Sequence, residues 1–213
     1  MKLPLRPWLV LSSSTGVLWE TIWTELSEEL RSKCLGVWSE RQAPVVERAR
    51  ARIGGERVRK FEGAAALESE LLAECKKTPS VVILCLGYMR ILSADFLDQC
   101  RAPIFNSHPS LLPAFPGMDL RVHEQVFEKA LLTGVSVHLV NEGLDAGPLV
   151  EVRSLPVDPG WDSVETLRAR VREEEVKLWV GLLPRILASR LEAEDRHLTT
   201  RALQRKLNQE GAQ

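Results

Sequence analysis

The sequence has almost no excess charge: 28 Lys and Arg side chains against 29 Asp and Glu leave a formal net charge of -1. No broad cationic face is therefore available for nucleic acid or anionic lipid, and any anionic ligand has to be caught locally. Long apolar runs are missing as well. None approaches the roughly 20 residues that a membrane span requires, and the opening Met1-Lys2-Leu3-Pro4-Leu5-Arg6-Pro7 has no extended apolar core of a secretory signal. A cytoplasmic location is expected, with no membrane and no nucleic acid among the partners. Cysteine is scarce and dispersed. Cys34, Cys75, Cys85 and Cys100 form none of the close pairs typical of zinc or redox motifs, so buried free thiols and no bound metal are expected.

What is present suits a core. Of 213 residues, 45% are hydrophobic, enough for one α/β domain or two closely merged halves. Trp8-Leu9-Val10-Leu11, the polar turn Ser12-Ser13-Ser14-Thr15-Gly16 and an amphipathic stretch to about Lys33 read as strand, turn and helix. The apolar runs 35–38 and 81–86 alternate with helical segments at about 45–52 and 64–76. This alternation argues for a mainly parallel, twisted, Rossmann-like sheet with helices on both faces. From Ile104 onward, Pro103, Pro109, Pro113 and Pro116 break the chain into a shaped loop. A helix is expected over about Asp119 to Leu132, a strand over 134–140 and another over 148–152. The last long helix, about Ser163 to Ser189, has Asp162 or Ser163 as its cap, and Pro184 should kink or interrupt it. The polar tail after His197 is expected to fray. Most of the six tryptophans belong to core or interface, and Trp19 and Trp23 share a helix face by their spacing.

The chemistry-bearing segment is Asn106-Ser107-His108-Pro109-Ser110-Leu111-Leu112-Pro113, followed later by Leu144-Asp145-Ala146-Gly147. At a strand end Asn106 and His108 point the same way, because side chains alternate with period two. Asn supplies a neutral N–H donor, and His supplies a second donor when protonated, a form that a nearby Asp would favour. Such a pair suits a developing oxyanion, while Asp145 could hold a water that carries a proton. The spacing equally allows a plainer reading, in which Asn and His satisfy backbone groups of a proline-rich turn and Asp-Ala-Gly is an ordinary turn.

The run Asn106 to Pro113 resembles the Asn-x-His-Pro-Ser-Leu-Leu-Pro signature of the folate-dependent formyltransferases. Val137-His138-Leu139-Val140 through Leu144-Asp145-Ala146-Gly147-Pro148 is similar to their second signature, and Gly87-Tyr88-Met89-Arg90-Ile91-Leu92-Ser93 to a third. The resemblance implies an α/β formyltransferase fold over 1–190, with a nucleotide-substrate half (1–100), a catalytic and folate half (101–190) and a C-terminal tail (191–213). It also implies an enzyme that transfers a formyl group from 10-formyltetrahydrofolate, as co-substrate, to an amine. Asn106 and His108 would stabilise the oxyanion, and Asp145 would orient His108 and assist proton transfer. The folate would lie against Met89, Arg90, Ile91 and Leu92 and against Val140, Asn141, Glu142, Gly143 and Leu144. The loop Ala114-Phe115-Pro116-Gly117 and the spacing from Gly160-Trp161-Asp162 to Glu175 resemble the branch whose acceptor is glycinamide ribonucleotide, a substrate of purine biosynthesis.

One stretch departs from that branch. Its phosphate-holding loop, Ser-Gly-x-Gly-Ser-Asn, is replaced here by Ser12, Ser13, Ser14, Thr15 and Gly16. Hydroxyls and N–H groups at a helix start can still hold an anion, but the easy positive φ of glycine is lost, so a different path or a strained residue is expected. A simple capping turn is the other reading. Glu175 matches the ribose-binding glutamate of the family, against the alternative that Glu173-Glu174-Glu175 is a solvated charge run. His123 and His138 match family positions and are expected to be structural. Three alternatives stay open: a different amine as acceptor, hydrolysis of 10-formyltetrahydrofolate, or an inactive folate-binding homologue. The expected partners are small molecules, with a homodimer left open.

Overall fold

The computed structural model describes residues 4–117 and 121–210. Its strands are β1 (Trp8–Leu11), β2 (Cys34–Ser39), β3 (Val58–Lys60), β4 (Val82–Cys85), β5 (Ile104–His108), β6 (Leu132–Leu139) and β7 (Leu149–Pro156). They form one sheet in the order β3-β2-β1-β4-β5-β6-β7. The first five run parallel, and β6 and β7 are antiparallel additions. The fold is thus α/β and Rossmann-like, as expected from the alternation.

Buried residues form two clusters, as a sheet covered on both faces requires. One packs alternate strand residues such as Trp8, Val10, Val82 and Leu84 against α1 (Val17–Glu25), α3 (Pro44–Ile53), α6 (Val122–Lys129) and α7 (Val164–Leu187). The other packs Leu9, Leu11, Ile83 and Cys85 against α4 (Ala64–Lys77) and α5 (Ala94–Gln99). Period-two alternation is visible in this division, since neighbours along β1 and β4 go to opposite faces. Trp19 and Trp23 stack with ring centroids 5.7 Å apart, one turn from each other on α1.

Several boundaries differ from the sequence reading. The first helix stops at Glu25, and a short α2 (Glu28–Ser32) restarts it, because Ser27 caps the new start by accepting from the Leu30 N–H. The helix placed at 119–132 is α6, which ends at Lys129. Leu132 instead opens β6 by pairing with Pro156, and residues 119 and 120 lie outside the described residues. Pro184 does not interrupt α7, which continues to Leu187; it falls in the last turn, where few backbone bonds remain to be lost. Ser163 is the cap of that helix, in a reciprocal capping box with Thr166. The sequence reading lacked the three-residue β3 and the six-residue α5.

The largest correction concerns the tail. Residues after His197 form α8 (Thr200–Glu210), whose Leu203 and Leu207 belong to the main core at 0% and 6% exposure. A helix tied down by two buried leucines does not fray. Leu203→Ala should therefore cost about 2–4 kcal/mol of unfolding free energy in a denaturant titration, the range for a buried leucine. A change within about 0.5 kcal/mol, typical of exposed positions, would show that α8 contributes nothing.

Candidate active site

In a doubly wound sheet the ligand crevice opens outside the C-terminal strand ends where the strand order reverses, here between β1 and β4. A cavity of about 610 Å³ lies there, of the size that small-molecule sites occupy. The loops after β1 and β4, the end of β5 and the turn after β6 line it.

Antiparallel pairing of β6 with β5 sets Asn106 opposite His138 and His108 opposite Ser136. The Asn106 amide nitrogen donates to His138 Nε2 at 3.2 Å, and His138 Nδ1 donates to the Leu139 carbonyl at 3.0 Å. Asp145 reaches both imidazoles, with Oδ2 3.4 Å from His108 Nδ1 and Oδ1 3.5 Å from His138 Nε2. Its backbone is left-handed, at φ 50°, which an Asp tolerates better than most residues. Gly117 N–H donates to Oδ2 at 2.7 Å. His108 Nε2 donates to the Phe115 carbonyl at 2.7 Å, so the proline-rich loop folds back on the imidazole.

Burial works to raise Asp145, but the His138 ring, the Gly117 N–H and His108 outweigh it and hold the carboxyl below its ordinary value. For His108 the balance goes the other way. Burial lowers its pKa, and the Asp145 charge and Phe115 carbonyl only partly offset this. Asp145 favours the protonated ring, as expected, but desolvation outweighs it and tips His108 toward the neutral form.

The other residues named from the sequence divide between wall and support. Met89, Arg90, Ile91 and Leu92, together with Val140, Asn141, Glu142, Gly143 and Leu144, all line the cavity. Of the first loop only Ser14 and Thr15 line it. Ser12 and Ser13 are buried behind the wall, where Ser13 Oγ accepts from the Met89 N–H at 2.9 Å and ties this loop to the other. Gly16, buried, caps α1 with φ 78° and packs against Val45, where a Cβ would come within 2.8 Å. The left-handed residue thus falls on the glycine that this loop keeps, and neither serine nor threonine has a positive φ. Glu175 is buried rather than solvated. Its Oε1 accepts from Ser107 Oγ at 2.6 Å, Arg172 lies 3.4 Å from Oε2, and burial raises its pKa despite both.

The sequence reading set aside two histidines that the fold brings to the cavity. His138 touches Asn106 and Asp145, and the signal for it was the Ser136/His138 alternation facing the Asn106/His108 alternation. His123 lines the same cavity with its Nδ1 unpartnered, and burial together with the charges of Arg168 and Arg172 lowers it to about 4. Among the described residues no group of three His, Cys, Asp or Glu side chains could hold a metal ion, and no helix is long and apolar enough to cross a membrane.

Fold and site define a doubly wound α/β enzyme whose amide, imidazole and carboxylate meet at the strand ends with no Ser or Cys nucleophile among them. The chain belongs to the formyl transferase family, whose model matches residues 8–183. It is 32% identical over 189 residues to phosphoribosylglycinamide formyltransferase of Bacillus subtilis, covering 86% of this chain and 95% of that protein. Identity of 43% over 124 residues to the trifunctional purine biosynthetic protein adenosine-3 of Bos taurus covers 58% of this chain and only 12% of the much longer relative. Among solved structures, phosphoribosylglycinamide formyltransferase of Coxiella burnetii superposes with a TM-score of 0.75 at 30% identity, covering 88% of this chain and 90% of that one.

Because its pKa is depressed in the fold, Asp145 stabilises the protein above its unfolded value, near 3.8, and this contribution is lost as pH falls through the lower folded value. Asp145→Asn should lower stability at pH 7 by about 1.5–3 kcal/mol, the worth of a hydrogen bond to a charged group. The gap to the wild type should close in denaturant titrations carried below pH 4. A gap independent of pH would mean that the carboxylate charge is not what the site holds.

Proposed function

We propose that the protein transfers the formyl group of 10-formyltetrahydrofolate to the amine of glycinamide ribonucleotide, a step of purine biosynthesis, in the cytoplasm. One observation carries the reading: Asn106, His108, His138 and Asp145 form a single contact network on the floor of a cavity. Its walls are the two loops that the family resemblance assigns to folate and the loop and helix that it assigns to the nucleotide. The names of the relatives matched over most of their length agree with this acceptor.

In the proposed reaction the acceptor amine attacks the formyl carbon, and its carbonyl oxygen becomes an oxyanion. Asn106 and His108 supply N–H donors to that oxygen, a preorganised arrangement that favours the transition state over the ground state. The single N–H of the neutral His108 ring rests on the Phe115 carbonyl, so the ring serves the oxyanion by exchanging that bond for one to the substrate or by taking up a proton at Nδ1 beside Asp145. Asp145, kept ionised, receives the proton released by the amine, directly or through one water, and passes it to the leaving folate nitrogen. The pterin lies against backbone groups of 89–92 and 140–144, and Glu175 accepts from the ribose hydroxyls. Ser14 and Thr15, at the positive end of α1, hold the phosphate.

His108→Ala should reduce kcat about 100- to 1000-fold while folate binding, followed by fluorescence titration, stays within a few fold. Near-normal turnover in this variant would refute the assignment.

The acceptor is tested separately. Deformylation of 10-formyltetrahydrofolate should depend on glycinamide ribonucleotide, and the dephosphorylated riboside should show a KM raised about 100-fold, the loss of one or two charge-assisted bonds. Equal deformylation with and without acceptor would indicate a hydrolase. Equal KM values for the two acceptors would remove the phosphate from the Ser14–Thr15 loop.

A further inference from the structure

Two of the four cysteines touch. Cys75 Sγ, on the last turn of α4, lies 3.9 Å from Cys100 Sγ, at the C-terminal cap of α5, although 25 residues separate them in sequence. The other two thiols stand apart: Cys34 Sγ faces the Gly36 carbonyl, and Cys85 is buried in β4. The two sides of the touching pair differ in access, since Cys100 is fully enclosed and Cys75 is partly exposed. A second tie already holds these helices at their other ends, where both Glu68 oxygens accept from Ser93, its N–H at 2.9 Å and its hydroxyl at 2.6 Å. The helices are therefore fixed in register, and the sulfurs need to approach by only about 2 Å to reach bonding distance.

We propose that Cys75 and Cys100 are a reversible redox site that closes to an intramolecular disulfide on exposure to a peroxide. The peroxide oxidises the accessible Cys75 thiol to a sulfenic acid, its O–O bond breaking and one water leaving. The Cys100 sulfur then attacks the sulfenic sulfur, the S–S bond forms, and the hydroxide expelled takes up the Cys100 proton as a second water. Two thiols and one peroxide give one disulfide and two waters. The surroundings suit this division of roles. Cys100, enclosed and 3.9 Å from the Cys75 sulfur, is placed to resolve the sulfenic acid once peroxide has reached the accessible partner. The contact with the Cys100 sulfur, and then burial, push the Cys75 thiol up, so its oxidation is slow near neutral pH and quickens as pH rises. In a reducing compartment the pair would stand open and close only transiently.

The test treats the full-length protein with millimolar hydrogen peroxide, quenches with catalase and counts thiols after denaturation. Thiols should fall from four to two, the mass should drop by two hydrogens, and dithiothreitol should restore all four. Non-reducing digestion should give one linked peptide pair containing Cys75 and Cys100, on a monomer band. The oxidised protein should melt higher by on the order of 5 °C, as expected for closing a loop of this length. Cys75→Ser, at the partly exposed position, should abolish the linked pair and the melting shift without unfolding the protein, and Cys100→Ala should do the same. Retention of four thiols, loss of thiols that dithiothreitol does not restore, an equal loss in Cys75→Ser, or a link involving Cys34, Cys85 or a second chain would each overturn the proposal.

Discussion

The reversal of strand direction between β5 and β6 is the constraint on which the site depends. Up to β5 every strand is parallel to its neighbour, so their loops all open at one edge, which is enough for binding but brings side chains of only one strand end at a time. Because β6 returns antiparallel, Asn106 and His138 become direct partners across the ladder, and polar groups from two strands share one floor. Buried side chains of this kind are tolerable only when they satisfy one another, since an unpaired polar group costs several times what a paired one contributes. The turn after β6 completes the set. Gly147 lets that turn lie directly on β6, where a Cβ would come within 1.7 Å of the Leu139 carbonyl oxygen, and this close approach brings Asp145 against both imidazoles.

The end of the cavity formed by the loop after β1 follows a different logic, in which the backbone is anchored and little is left free. Ser13 donates its N–H to the Gly87 carbonyl and accepts at its hydroxyl from Met89, so the loops after β1 and β4 are stitched together across the switch point. Arg41 ties the Ser13 carbonyl from the far side at 2.8 Å. What remains toward the cavity is Ser14 and Thr15 at the start of α1. The loop with fewer glycines is thus no strained copy of a glycine-rich one. It spends the Ser13 hydroxyl on structure and keeps one glycine for the single residue that turns left-handed.

Much of this was legible in the sequence, and the parts that were not share a cause. Alternating apolar runs with intervening helices revealed the parallel sheet, and the strand-end Asn106/His108 pair revealed the floor of the site, because both depend on local periodicity. That His138 meets Asn106 and Asp145 comes from a register across the sheet, which no local pattern carries. Glu175 stands in a run of three glutamates that reads as surface. Only the packing of α7 over β5 shows that this one, and not Glu173 or Glu174, reaches Ser107. The tail was misread for the opposite reason: its composition is polar, yet two leucines four residues apart suffice to dock α8.

The charge states of the site also could not be read from residue types. An Asp beside a His suggests an ion pair, and in water that would be correct. Inside the cavity desolvation weighs against both charges, and the balance differs: Asp145 has the Gly117 N–H and two imidazoles beside it to offset its burial, whereas His108 has one carbonyl and a carboxylate at 3.4 Å. Burial thus tips His108 toward its neutral form, while the groups around Asp145 favour its ionised form. This inverts the simplest oxyanion argument, in which a pre-formed imidazolium supplies the positive charge. In the proposed reaction an oxyanion forming beside His108 would raise the ring's proton affinity, so positive charge would develop there only as negative charge develops on the substrate. A donor whose charge grows with that of the transition state favours it over the ground state more strongly than a fixed cation, which would bind both.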